Sequence, residues 1–152
     1  MRLLLMRHGQ ADVANMGTSR DHLRPLTVQG VEEVVERAHL LKSLMDQPRL
    51  IHSPYLRARQ TAELVHKHTG WPIACVWADL QPESDPVALE AWCRDQQEDV
   101  ILIAHMPLLG LLCARLIDEP GRICPLVTAG VHDLQMIEPV GSGVFHLLRT
   151  YD

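Results

Sequence analysis

Leu3-Leu4-Leu5-Met6-Arg7-His8-Gly9 is an apolar run that ends abruptly in an arginine, a histidine and a glycine. An apolar run of this length bounded by Gly reads as a buried strand. The Arg-His-Gly tripeptide is therefore expected where that strand leaves the sheet. In open α/β sheets this edge is where ligands bind.

Working outward, the chain alternates strand-like and helix-like segments. Gln10 to Arg24 is polar and loop-like, and from Val31 to Met45 apolar residues recur at helical spacing, with Thr27 as N-cap and Pro48 beyond the end. Arg49-Leu50-Ile51-His52 is a short strand. Ser53-Pro54 then reads as N-cap plus first helical residue of a helix running to about His68 and closed by Gly70. Ile73 to Trp77 is a third apolar run, and Asp85-Pro86 starts a helix whose buried face carries Leu89, Trp92 and Cys93. Val100 to Ala104 is the most strand-like segment in the chain, and His105-Met106-Pro107 ends it and opens an apolar helix, Leu108 to Ile117. Val131 to Ile137 and Gly143 to Leu148 form a strand pair joined by Glu138-Pro139-Val140-Gly141-Ser142. Strands alternating with helices imply right-handed crossovers. The expected fold is α/β, a three-layer α/β/α sandwich whose central sheet is largely parallel with an antiparallel C-terminal strand pair.

At 152 residues and 47% hydrophobic content, residues 1–152 form one domain. A net charge of -5 offers no electrostatic footprint for nucleic acid or for an anionic membrane. Four widely spaced cysteines without a Cys-x-x-Cys pair fit neither a zinc site nor a disulfide scaffold, and reduced thiols in a cytoplasmic protein are expected. The apolar run after Arg2 is too short for a signal peptide or a membrane span. Arginine far outnumbers lysine, whose only members are Lys42 and Lys67. Arginine suits forked recognition of phosphate or carboxylate, although genomic composition explains such a bias equally well.

Three strand-to-helix junctions hold distinctive residues: Arg7-His8-Gly9, Ser53 to Arg57, and His105. In a parallel sheet all three lie at the carboxyl edge and meet in one cleft. Two of them open helices, whose first turns expose unpaired N–H groups and a positive dipole end. With Arg7 and Arg57 these make an anion pocket, for which phosphate or sulfate is the natural guest. A neutral imidazole in such a pocket can attack phosphorus and form a phosphohistidine that water later hydrolyses. Fixed arginines and a protonated second histidine would supply the electrostatic stabilisation, with no metal or cofactor required.

Leu5-Met6-Arg7-His8-Gly9 resembles the signature of the histidine phosphatase superfamily, the phosphoglycerate mutase-like or Arg-His-Gly phosphatases. Arg24-Pro25-Leu26-Thr27 with Gly30, Ser53-Pro54-Tyr55-Leu56-Arg57-Ala58 with Gln60-Thr61, and Ala104-His105-Met106-Pro107 follow in that family's order. The short chain and the Arg-Pro-Leu-Thr segment are most similar to its SixA-type phosphohistidine phosphatases. The resemblance implies that His8 is the nucleophile and that Arg7, Arg57 and His105 form the phosphate pocket. Arg24 is either a substrate contact or a loop anchor.

The general acid departs from the family pattern. Larger members carry a carboxylate after the third strand or in an inserted lid, whereas this chain offers only Glu83 and Asp85 in a short loop, where each also reads as a loop or cap residue. An alkoxide leaving group needs a proton donor, while an imidazole leaves from an already labile P–N bond. The expected activity is therefore a metal-independent phosphatase acting on phosphohistidine in a protein such as a histidine phosphotransfer domain. The alternatives are a phosphomonoesterase on a small molecule or on phosphoserine/threonine, with Glu83 or Asp85 as acid, and a non-catalytic phosphoprotein-binding module.

Overall fold

Leu3, Leu4, Leu5 and Met6 are all fully buried, so the first strand, β1 (Arg2–Arg7), presents apolar side chains to both faces of the sheet. Leu3 and Leu5 join one core with Leu89, Cys93, Leu102 and Leu112. Leu4 and Met6 join a second core with Val34, Ala38, Ala62, Ile101 and Ile103. The two-residue period of a strand divides the run between them.

The computed structural model describes residues 1–137 and 143–152. After β1 come α1 (Val28–Leu44), β2 (Arg49–His52), α2 (Leu56–Thr69), β3 (Ile73–Val76), α3 (Pro86–Asp95), β4 (Val100–Ala104), α4 (Leu108–Leu116), β5 (Val131–Met136) and β6 (Phe145–Tyr151). The sheet order is β3-β2-β4-β1-β5-β6. β3, β2, β4 and β1 are mutually parallel, while β5 pairs antiparallel with both β1 and β6. Helices α1 and α2 cover one face and α3 and α4 the other, which is the expected three-layer α/β/α sandwich. Among the described residues no helix is long and apolar enough to cross a membrane.

Several local signals act as read. The Thr27 hydroxyl accepts from Gly30 N at 3.0 Å and caps α1. Asp85 caps α3 through Val87 N, with Pro86 at its start. Gly70 closes α2 with φ 81°, a left-handed conformation that costs a glycine nothing.

Two assignments are corrected. Helix α2 starts at Leu56 with Tyr55 as its N-cap, not at Ser53-Pro54, because the Ser53 hydroxyl is taken by His105 and by the Tyr55 N–H. Strand β6 runs on to Tyr151, past Leu148, since Val131 and His132 of β5 still need partners and find them in Tyr151 and Thr150. The expected Glu138–Ser142 connection lies outside the described residues.

The register aligns the functional edge. Arg7 pairs with Ala104, and His52 with Ile103. The ladder continues one step further, with His8 N donating to Ala104 O at 3.1 Å and Ser53 N to Ile103 O at 3.0 Å. His8, Ser53 and His105 thus leave the sheet side by side. Gly9 and Gly30 let the chain after β1 cross α1 closely, because a Cβ on Gly9 would lie 2.6 Å from Gly30 O.

Candidate active site

His8 is 6% exposed and sits immediately beyond β1. Its Nδ1 lies 2.7 Å from its neighbour's carbonyl, Gly9 O. A carbonyl only accepts, so Nδ1 carries the proton and the lone pair of the neutral ring is on Nε2. Burial pushes the His8 pKa down to about 3, assisted by the charges of Arg57, Arg7 and Arg24 and opposed by the Gly9 bond. The ring is therefore a neutral imidazole whose basic, nucleophilic lone pair is on Nε2.

Arg57, in the first turn of α2, is almost wholly buried. Its Nε donates to His8 Nε2 at 3.2 Å. Its other nitrogens are held by Asp21, through the backbone carbonyl at 2.9 Å and the carboxylate at 3.1 Å. Asp21 also accepts from Arg24 Nε at 2.8 Å, and Arg24 Nη1 donates to Asp12 O at 2.7 Å. Burial works against the Asp21 charge, but Arg57 and Arg24 outweigh it and hold the carboxyl below its usual range. Asp21 thus ties the polar loop to α2, and Arg24 serves as an anchor of that loop while lining the cleft.

Thr61 fastens the same junction from below. Its hydroxyl donates to Arg57 O at 2.7 Å and accepts from Gly9 N at 3.2 Å. Gln60, one residue earlier, accepts from Leu26 N at 2.8 Å and so holds the Arg-Pro-Leu-Thr segment against α2.

His105 is buried beyond β4, its ring centroid 5.0 Å from that of His8. Tyr55 packs against it edge-on, also at 5.0 Å. Burial, followed by the charges of His8, Arg57, Arg24 and Arg7, pushes the His105 pKa down to about 2. The burial and neighbouring charges thus work against the protonated second histidine expected from the sequence. A cationic ring is disfavoured where the imidazole is buried and arginines already crowd the pocket.

Arg7 ends β1 with its Nη1 donating to Leu126 O at 2.7 Å. Among the described residues, the buried side-chain nitrogens and oxygens left without a partner are Arg7 Nε and His105 Nδ1. Both belong to side chains lining one cleft of about 760 Å³, together with His8, Asp21, Arg24, Tyr55, Arg57 and Glu83. Buried polar atoms are almost always paired, so two unpartnered nitrogens in one cleft suit a ligand that brings its own oxygen acceptors.

The structure brings Arg7, His8, Arg24, Arg57 and His105 together and puts exposed Glu83 on the rim. Asp85 caps α3, one of its two readings from the sequence, and is not among the residues lining the cleft. Sequence reasoning missed Asp21 and Tyr55, and took Ser53 for a helix cap. The Arg20-Asp21-His22-Leu23-Arg24 charge pattern is the one local signal that hints at an Asp21–Arg24 pair three residues apart.

Comparison with known proteins supplies the family. Residues 3–81 match the family model of the histidine phosphatase superfamily (branch 1). The chain is 32% identical to phosphohistidine phosphatase SixA of Escherichia coli (strain K12), over 96% of this chain and 91% of that protein. It is 26% identical to a phosphohistidine phosphatase SixA homologue of Haemophilus influenzae (strain ATCC 51907 / DSM 11121 / KW20 / Rd), over 76% and 77% of the two chains. The solved structure of the protein histidine phosphatase SixA complexed with tungstate superposes with a TM-score of 0.81 at 32% identity, covering 96% of this chain and 94% of that one. A strand that ends in Arg7-His8-Gly9, a fold shared at this level and a matched family model lead to one conclusion: the chain belongs to the histidine phosphatase superfamily.

Proposed function

We propose that the protein is a phosphohistidine phosphatase in which His8 is the nucleophile and Arg7, Arg57 and His105 hold the transferred phosphoryl group. The carrying observation is the pair of unpartnered buried nitrogens, Arg7 Nε and His105 Nδ1, in the cleft that holds the lone pair of His8 Nε2. A phosphoryl group supplies the oxygen acceptors that these nitrogens lack. That relatives carry the name phosphohistidine phosphatase SixA, one of them complexed with tungstate, a tetrahedral oxyanion, supports the same reading.

In the open site the Arg57 N–H occupies the His8 lone pair. A phosphoryl oxygen entering the cleft takes that N–H and releases Nε2 to face phosphorus. Nε2 then forms a bond to phosphorus as the P–N bond to the substrate imidazole breaks, and the departing imidazole takes a proton from solvent. Water next attacks phospho-His8; the N–P bond returns its electrons to Nε2 and inorganic phosphate leaves. Arg7, Arg57 and the α2 N-terminus stabilise charge on the equatorial oxygens, so protein groups supply the electrostatics.

The substrate is a phosphorylated protein, with a histidine phosphotransfer domain as the candidate class. A cleft of about 760 Å³, over which no lid closes among the described residues, admits a phosphorylated side chain on a folded surface. The deciding experiment compares turnover of a phosphohistidine protein, a phosphoserine protein and a small phosphomonoester. The expected order has the phosphohistidine protein first by a wide margin. Faster ester hydrolysis would overturn the substrate assignment, and no hydrolysis of any of them would favour a binding module.

A further inference from the structure

We propose that Ser53 is a positioning residue that sets the tautomer of His105, donating its hydroxyl proton to Nε2 so that the ring carries its own proton on Nδ1, as a donor for a phosphoryl oxygen. The inference rests on the assignment of the cleft as the phosphoryl site. It concerns a different group and stands or falls on a different measurement.

Ser53 is fully buried, and its Oγ lies 2.7 Å from His105 Nε2. The same oxygen accepts from the Tyr55 N–H at 3.3 Å. A hydroxyl has one proton to give, and no other acceptor for it stands within hydrogen-bond distance among the described residues. Were Nε2 the donor, Oγ would accept twice and the hydroxyl proton of a fully buried serine would be left without an acceptor. Leaving a buried donor unmade costs about 1–3 kcal/mol. The relay therefore runs Tyr55 N–H to Ser53 Oγ, Ser53 O–H to His105 Nε2, and it fixes the proton on Nδ1.

That assignment explains the orphan. His105 Nδ1 has no partner among the described residues, and as a bare lone pair it would repel an incoming anion. As an N–H it is the complement of one. The facing groups are Arg7 and His8 beyond β1, Arg24 from the loop, and Tyr55 and Arg57 at the start of α2; of the carboxylates lining the same cleft, Asp21 is bonded to Arg24 and Arg57, and neither it, Asp79 nor Glu83 is hydrogen-bonded to the His105 ring. His105 thus serves the phosphoryl group as a neutral donor, and the hydroxyl of Ser53 does what protonation would otherwise have to do.

Two-bond ¹H–¹⁵N correlation spectra of the full chain labelled with ¹⁵N-histidine test this at neutral pH. Loss of one set of signals in His105→Gln makes the assignment. The expected wild-type pattern has a protonated Nδ1 and an unprotonated Nε2. Ser53→Ala shifts proton population onto Nε2 and raises the inhibition constant for orthovanadate by roughly tenfold or more, the loss of a hydrogen bond to a charged group. Ser53→Thr, which keeps the hydroxyl, restores both. A wild-type ring protonated on Nε2, a wild-type imidazolium, or an unchanged tautomer in folded Ser53→Ala would each overturn the proposal. None of these results would bear on whether phospho-His8 forms.

Discussion

Arg57 donates its Nε to Nε2 of His8 across 3.2 Å, placing a fixed cation against the lone pair proposed to attack phosphorus. Lysine cannot reproduce this contact while also gripping Asp21 twice, because its ammonium is a point charge without a planar fork. Arg57→Lys should lower kcat by about 10²- to 10³-fold, the scale for removing one preorganised donor from a transition-state site. Steady-state kinetics on a phosphohistidine protein measures it. A variant within a few-fold of wild type would remove Arg57 from the phosphoryl pocket.

Stability should fall with falling pH through the two cleft histidines. In the unfolded chain both rings take up protons below about pH 6.5, whereas in the folded chain His8 stays neutral to about 3 and His105 to about 2. Below 6.5 the unfolded state therefore binds more protons, so the stability present above that pH is lost, at about 1.4 kcal/mol per pH unit for each fully engaged histidine. His132, lowered chiefly by burial, acts in the same direction. Denaturant titrations at several pH values between roughly 7.5 and 5 should show this slope, and His105→Gln should reduce it by up to one proton's worth. An unchanged slope would mean that the folded ring titrates normally.

Gly30 stands where α1 meets the chain leaving β1. A Cβ there would lie 2.0 Å from Gln10 O and 2.8 Å from Gln10 N, both backbone atoms that cannot rotate away. Gly30→Ala should destabilise the fold by about 1–3 kcal/mol, the range for forced overpacking. Because Gln10 follows His8-Gly9 directly, kcat should fall as well. A denaturation midpoint and activity equal to wild type would contradict the close crossing.

Much of this was legible in the chain itself, for identifiable reasons. Leu3–Met6 and Val100–Ala104 are buried on both faces, so they appear as unbroken apolar runs, and the polar residues that follow them had to fall at the sheet edge. Thr27, Asp85 and Gly70 act locally and could be read locally. Ser53 misled because a helix-capping serine and a serine bonded to a distant histidine look alike in sequence. Asp21 was missed because its decisive partner, Arg57, lies 36 residues away. Strand β6 was cut short because Leu148, which is 55% exposed, breaks the apolar alternation. The neutrality of His105 depends on how deeply it is buried, which no local pattern records.

Glu83 separates the two enzymatic readings. It lines the cleft and is exposed at the rim, the position from which a carboxylic acid could protonate an alkoxide. Glu83→Gln should leave phosphohistidine hydrolysis within about twofold of wild type, while slowing any residual phosphoester hydrolysis by about 10²-fold, the scale of general-acid assistance. Equal losses on both substrates would remove the preference for an N-linked phosphoryl group.

The central claim, that His8 carries the phosphoryl group, is tested most directly by rapid quench after mixing the protein with a ³²P-phosphohistidine protein. The expected result is a burst of labelled enzyme that is labile to acid and stable to alkali, approaching one phosphoryl per chain and absent from His8→Ala. Turnover with no labelled intermediate, or a His8→Ala variant that still hydrolyses the substrate, would contradict it.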